Sequence, residues 1–416
     1  MPTYLYRVSF QPFEQELALC EAAEWLGLPA AHTEADANAG ATAGATAGAG
    51  AGADFIFADR LIDLTNAAYL AQAVELYARA PDFDGLLEAV HRTPPGCNRY
   101  RIETFDSLTA QREPRVKKIG SVGVARALAD CLPGNPDLEH PQTTLWALRL
   151  PDEWIFGRVA AEYAQTWKHH EPKPRSFSSA LKGRQAAALV NLAAPPHRNA
   201  RTFLDPCCGA GTVLVEAAAR GLHVLGCDLS ARMAEDSQIN LRHFGYPPNV
   251  RCADATQPGA FDFPLGAPTF TSALGSAWDR RSSDRLPDFS SSPTPAIHSD
   301  ATPVRSDPST LPTPSVSSAT SAPTAPSTSS ASSAPSAPTT PSIFDAAVVD
   351  FPYGHFSPAA PDLYDRVLAA LRPRVSRLVV VTPKPSAELL ARHGFQVLRT
   401  ATTRKSRLVR HIALAE

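Results

Sequence analysis

The segment Phe203–Ala218 reads FLDPCCGAGTVLVEAA: an apolar run that ends in an acid, a glycine turn, then a helix-like stretch. Gly209 and Gly211 allow a sharp turn and a close approach of backbone to a ligand. The helix expected from about Thr212 offers unpaired N–H groups at its first turn. The spacing is neither GxGxxG nor GxxxxGKS/T, which argues against dinucleotide and nucleoside-triphosphate sites. Asp228 ends the next apolar run, where a carboxylate can accept both hydroxyls of a ribose. Its competing role, capping the helix that begins SARMAEDS, suits Ser230 better. Asp254, in CADAT, is placed either to accept from an adenine amino group or to hold a turn. Asp350 ends a fourth apolar run and leads into Phe351, Pro352 and Tyr353. An acid at a strand tip, followed by proline and an aromatic, is more than a turn requires.

Such residues need a scaffold that brings several strand ends to one edge. Residues 166–264 and 343–416 alternate strand and helix: RTFLDP, GTVLVEAAARG, HVLGCDLS, ARMAEDSQINLRHFG, VRCADAT, IFDAAVVDFP, PDLYDRVLAALRP, RLVVVTP, SAELLARHG and a last strand pair. That order predicts an α/β fold with a parallel sheet covered on both faces, whose ligand crevice lies at the carboxyl ends of the strands. Residues 1–39 and 54–165 read as a second, mixed α/β region. It holds a strand TYLYRVSF, a helix EQELALCEAAEWLG ending at Gly27, a strand RYRIETF, a helix GSVGVARALADCL and a hairpin of TTLWALRL with WIFGRVAAEY. Two biased stretches interrupt the pattern. Residues 40–53 are nearly all Ala, Gly and Thr, which predicts a flexible loop; about 265–342 is dominated by Ser, Thr, Pro and Ala, which predicts a disordered insertion.

The 416 residues, 44% hydrophobic, suffice for two or three domains. No apolar run approaches the ~20 residues of a membrane helix, and the first residues lack the pattern of a signal peptide. Seven cysteines without a CxxC pair suggest neither a disulfide framework nor a structural zinc site. The expectation is a cytoplasmic protein with no metal. Net charge is −2, but residues 1–165 carry 13 Lys+Arg against 22 Asp+Glu, and the remainder 26 against 19. Two basic runs stand out: Arg112, Arg115, Lys117 and Lys118, and Arg399, Arg404, Lys405, Arg407 and Arg410. Either is a solvated face or a phosphate-binding footprint. Cys207 and Cys208 read as small packing residues.

At these positions the chain resembles the class I S-adenosylmethionine-dependent methyltransferases, a Rossmann-like fold. Within them it is similar to the amino-methylating branch, whose signature is D/N/S-P-P-Y/F. DPCCGAGT followed by VLVEAA, with SFSSALKGRQAAALVNLA before it, resembles the THUMP-domain tRNA guanine-N2 methyltransferases. Their first motif runs DPxCGxGTxxxEA and their later one DPPYG. The N-terminal block is similar in layout to a ferredoxin-like lead followed by a THUMP domain, an RNA-binding region over residues 1–165. The methyltransferase domain would then be 166–416.

The resemblance implies roles. Asp205, Gly209 and Gly211 border the methionine part of S-adenosylmethionine, Asp228 holds its ribose and Asp254 its adenine. Asp350 and the backbone carbonyl of Phe351 accept from the target amine beside Pro352, and Tyr353 stacks on a flipped base. Phe351 departs from the family, which has proline there and thereby a fixed φ. The implied reaction is methylation of the exocyclic N2 amine of a guanosine in tRNA. An adenine-N6 methyltransferase on DNA or rRNA, and a non-catalytic RNA-binding protein with a degenerate methyltransferase domain, are the alternatives.

Overall fold

The computed structural model describes residues 4–29, 55–107, 114–177, 180–262, 344–352, 362–405 and 408–416. The expected loop 40–53, the expected insertion 265–342, Tyr353, and Arg112 and Arg407 of the basic runs lie outside the described residues. No helix among the described residues is long and apolar enough to cross a membrane.

The first sheet is built from β1 (Tyr4–Val8), β2 (Phe55–Ala58), β3 (Leu70–Ala80), β4 (Arg99–Asp106), β5 (Asn135–Pro136), β6 (Thr143–Arg149) and β7 (Trp154–Glu162), in the order β2-β1-β3-β7-β6-β4-β5. β4 pairs in parallel with β5 and β6, and the other pairs are antiparallel. α1 (Gln15–Leu26) ends at Gly27, whose φ of 67° lets its N–H and that of Leu28 close on the last-turn carbonyls. α2 (Phe83–Arg92) starts at Asp82, which accepts from the Gly85 N–H at 2.7 Å. α3 (Pro114–Ala129) starts earlier than the sequence pattern suggests and breaks helical geometry at Gly120, φ 64°. Strands β2 and β3 and helix α2 carry no expectation from the pattern. β3, LAQAVELYARA, is made largely of helix formers, and pairing with β1 on one side and β7 on the other makes it a strand.

The second sheet uses β8 (Thr202–Asp205), β9 (His223–Asp228), β10 (Val250–Cys252), β11 (Ala346–Asp350), β12 (Leu378–Thr382), β13 (Val397–Lys405) and β14 (Leu408–Ala415). Their order is β10-β9-β8-β11-β12-β14-β13. The first five are parallel, and β14 enters antiparallel between β12 and β13. Around it lie α4 (Gly183–Ala193), α5 (Thr212–Ala219), α6 (Ala231–His243), α7 (Leu363–Leu371) and α8 (Ala387–Arg392). The near-continuous apolar strands AAVVD and LVVVT are what a sheet buried on both faces requires.

Both sheets belong to one compact unit. α1 packs on α4 and β13, and a buried polar seam runs through that contact. Glu21 accepts from the N–H of Ala68 (2.8 Å) and Tyr69 (3.1 Å) and from Asn191 Nδ2 (2.7 Å). Glu24 pairs with Arg377 and Arg399, and Arg377 also pairs with Glu416. Arg399 and Arg410 are therefore neither a solvated face nor a phosphate footprint. Arg399 holds Glu24 and the Leu28 carbonyl, and Arg410 is fully buried. A charge run in a β-hairpin alternates faces, so part of it points inward.

Replacing Glu24 with Gln removes the charge that Arg377 and Arg399 share, leaving Arg377 with Glu416 and Arg399 with the Leu28 carbonyl, so stability falls by about 2 kcal/mol. A urea midpoint shift worth less than ~1 kcal/mol would show that this seam does not hold the two sheets together.

Candidate active site at the carboxyl edge of the second sheet

From β8 the chain adds β9 and then β10 on one side, while β11 and β12 lie on the other. The loops leaving β8 and β11 therefore diverge, and a crevice opens outside their carboxyl ends. Asp205, Asp228 and Asp350 are the last residues of β8, β9 and β11, and Asp254 lies two residues beyond β10. Parallel register puts all four at one edge: Asp205 opposite Gly226, Cys252 opposite Asp228, Asp350 opposite Val381.

The glycine turn between β8 and α5 is held to β9 by its own backbone. The Gly209 N–H donates to Asp228 Oδ2 at 2.9 Å, and the Cys208 N–H to the Cys227 carbonyl at 3.0 Å. Gly211 has φ 76°, and a Cβ there would lie 2.2 Å from Ser237 Oγ of α6. Both its conformation and its contact exclude a side chain. Ser230 takes the cap of α6, accepting from the Met233 N–H at 3.4 Å, while Asp228 Oδ1 accepts from the Ser230 N–H at 2.9 Å. Asp228 thus bridges the glycine turn and the start of α6.

Asp205 is 3% exposed. Burial pushes its carboxyl well above the usual carboxylate range; Asp350 and Asp228 push further, and only the Cys207 N–H opposes them. Burial also raises Asp228, against the Ser230 and Gly209 N–H groups. Among the described residues, no cation stands with the groups that shift either. Around Asp205 and Asp228 the described groups leave an excess of negative charge. A cationic ligand relieves that excess, whereas the diphosphate of a dinucleotide would add to it. Burial raises the Cys207 and Cys208 thiols well above their ordinary value, so both are neutral packing groups and not thiolate nucleophiles.

Asp254 behaves differently. The N–H and hydroxyl of Thr256 donate to it at 2.9 and 2.8 Å, and Gln257 at 3.3 Å. The Thr256 N–H chiefly holds it below the usual range. It shapes its own turn at the rim of the crevice, and Arg366 of α7 donates to the Thr256 hydroxyl at 2.7 Å.

Phe351 is fully buried. Its N–H donates to the Val381 carbonyl at 3.1 Å, and its ring stacks on Tyr364 with centroids 4.2 Å apart. The Tyr364 hydroxyl donates to the Pro352 carbonyl at 3.0 Å. Sequence spacing gives no sign of Tyr364. It also misses Leu229, 75% exposed directly after Asp228, and Phe177, whose Cζ would lie 3.2 Å from a Cβ on Gly209. Behind the crevice, buried Glu216 of α5 meets His170 Nδ1 at 3.1 Å, and Tyr246 meets the other ring nitrogen at 3.4 Å. That contact fastens the short turn Thr166–His170 to α5. No group of three or more His, Cys, Asp or Glu that could hold a metal occurs among the described residues.

Residues 172–257 match the family described as UPF0020, RMKL-like, methyltransferase domain. Asp205, Gly209, Gly211, Asp228 and Asp254 fall inside that match; Asp350 and Phe351 fall beyond it. Over 113 residues the chain is 31% identical to the tRNA (guanine(10)-N2)-dimethyltransferase of Methanothermobacter thermautotrophicus, covering 26% of this chain and 33% of that protein. Over 124 residues it is 36% identical to the enzyme of the same name from Pyrococcus abyssi, covering 29% and 36%. The chain thus spans about a third of the length of these curated relatives. TrmN from Thermus thermophilus superposes over 100% of this chain and 99% of its own, with a TM-score of 0.45 and 16% identity.

Because the folded state raises the Asp205 pKa, stability retained at acid pH is lost as pH rises through that raised value. Asp205→Asn removes the charge and keeps an acceptor for the Cys207 N–H. Ligand-free Asp205→Asn is expected to match the wild type near pH 4 and to exceed it at pH 8 by about 1 kcal/mol or more. Equal melting temperatures across that range would show that the carboxylate excess is not a real strain.

Proposed function

We propose that this chain uses S-adenosylmethionine to methylate the exocyclic N2 amine of a guanosine in tRNA. The observation that carries the reading is the pair of carboxyls Asp205 and Asp228, both raised by burial and set around a glycine turn at the switch point of a doubly wound sheet. These residues fit the cofactor: its charge offsets the acids, and its ribose suits an acceptor at Asp228. S-adenosylmethionine, when bound, supplies a methyl group carried on a cationic sulfonium. The match to a methyltransferase domain and the activity for which the two relatives are named support both cofactor and substrate.

The amine of a purine is a weak nucleophile because its lone pair is delocalised into the ring. The Asp350 carboxylate and the Phe351 carbonyl, at the end of β11, are the two acceptors that hold its two N–H bonds and favour a pyramidal nitrogen. Their contribution is positioning and electrostatics. Tyr353 is assigned the π-face that receives the base once it leaves its stack. Residues 1–165 are assigned RNA recognition and 166–416 catalysis. The cytoplasm is the expected compartment for an enzyme of tRNA maturation.

The test is incubation with radiolabelled S-adenosylmethionine and unmodified tRNA, followed by digestion to nucleosides. Label is expected in N2-methylguanosine. Label in N6-methyladenosine would transfer the reading to an adenine enzyme, and no label in any RNA or DNA would overturn it. Asp350→Ala is expected to reduce transfer at least ~100-fold with cofactor affinity within about twofold of wild type. Asp228→Ala is expected to weaken cofactor binding by ~1–3 kcal/mol in a calorimetric titration; unchanged affinity would leave Asp228 as a strut of the glycine turn alone.

A further inference from the structure

Phe351 stands where a proline would fix φ, yet the carbonyl it presents must still be aimed. Three constraints bracket that carbonyl. On its N-terminal side, the Phe351 N–H extends the β11–β12 ladder to the Val381 carbonyl at 3.1 Å. A proline could not make this bond. Immediately after it, Pro352 has its own φ locked by its ring. On the C-terminal side, the Pro352 carbonyl is held by the Tyr364 hydroxyl at 3.0 Å. The ring of the same tyrosine lies on the Phe351 ring, 4.2 Å between centroids and 28° between planes. One side chain therefore grips both residues of the motif.

We propose that Tyr364, in the first turn of α7, is the positioning residue that aims the Phe351 carbonyl at the target amine. The proposal rests on the reading of Asp350–Tyr353 as the substrate motif. Two further observations fit it. Burial raises the Tyr364 phenol, with Asp350 and Cys207 adding to that, so the hydroxyl stays protonated and remains a donor. The same turn of α7 also reaches the rim of the cofactor crevice, through Arg366 and the Thr256 hydroxyl. α7 thus ties the substrate motif to the turn that Asp254 shapes. The tyrosine comes from beyond the motif, and its ring stacks on the aromatic side chain that stands where the motif has proline.

Two variants separate the hydroxyl from the ring. Tyr364→Phe keeps the stack and removes the donor, so it is expected to fold; Tyr364→Leu removes both. Hydrogen exchange at the Phe351 amide reads the tie without any activity, and tRNA methylation reads its consequence. In Tyr364→Phe the amide is expected to exchange several-fold faster. kcat is expected to fall roughly tenfold, with cofactor Kd and tRNA KM within about twofold of wild type. Tyr364→Leu is expected to lower kcat further, towards ~100-fold, the scale of a misaimed reacting group. Unchanged exchange and unchanged kcat in Tyr364→Phe would overturn the proposal. So would a loss of cofactor affinity in step with kcat, which would mark Tyr364 as general packing. A wild-type protein that methylates no nucleic acid would overturn the functional reading instead. Faster exchange in the variant would then still establish the mechanical tie.

Discussion

Asp205 is buried at the open edge of a parallel sheet, within reach of the charges of Asp228 and Asp350 and, among the described residues, with no cation acting on it. Much of the surrounding architecture follows from that constraint. A carboxylate cannot stay in such a place unless backbone N–H groups serve it. The glycine turn supplies them: Cys207 donates to Asp205, and Gly209 donates to Asp228. The turn can do so only because Gly209 and Gly211 take positive φ, and because Gly211 leaves no atom between the turn and Ser237. That turn is held in place by the sheet beneath it, through the Cys208 N–H and the Cys227 carbonyl.

The sheet is in turn held by elements outside it. The residues that fix the N-terminal sheet to the second one are not apolar alone. Glu21, Glu24, Asn191, Arg377 and Arg399 form a seam in which each buried charge or amide has named partners. Burial pushes the Glu21 carboxyl up, and it lowers Arg220, which donates to the Asn191 side chain, to about 10. Apolar contact tolerates sliding, whereas a satisfied polar network fixes register. A substrate bound by one sheet and modified at the edge of the other would need that fixed geometry.

The candidate site was legible in the sequence to the extent that its geometry is local. Asp205, Gly209, Gly211 and Asp228 sit within strand–turn–helix units, where backbone demands dictate residue type, so spacing reveals them. Asp350 was legible because an apolar strand points at it. Asp254 was ambiguous, and the structure shows it holding its own turn. What was not legible depends on pairing across distance. β3 looks helical by composition until β1 and β7 flank it. Arg399 and Arg410 look like part of one basic patch until the hairpin turns them inward. Tyr364 looks like one more residue of an amphipathic helix until its ring is found on Phe351.

Phe351 also shows how a departure from a motif is best judged. Read from the motif alone, losing proline loosens the backbone and suggests decay. Read in the structure, the change gives as well as takes away. The new N–H joins the ladder to β12, and the new ring gains a stacking partner that also holds the next carbonyl. Three constraints bracket the Phe351 carbonyl, and the edge beside it holds two carboxyls, Asp205 and Asp228, whose charged forms burial disfavours. The backbone at Phe351 is thus held by an aromatic stack and two hydrogen bonds where the motif would hold it with a proline ring.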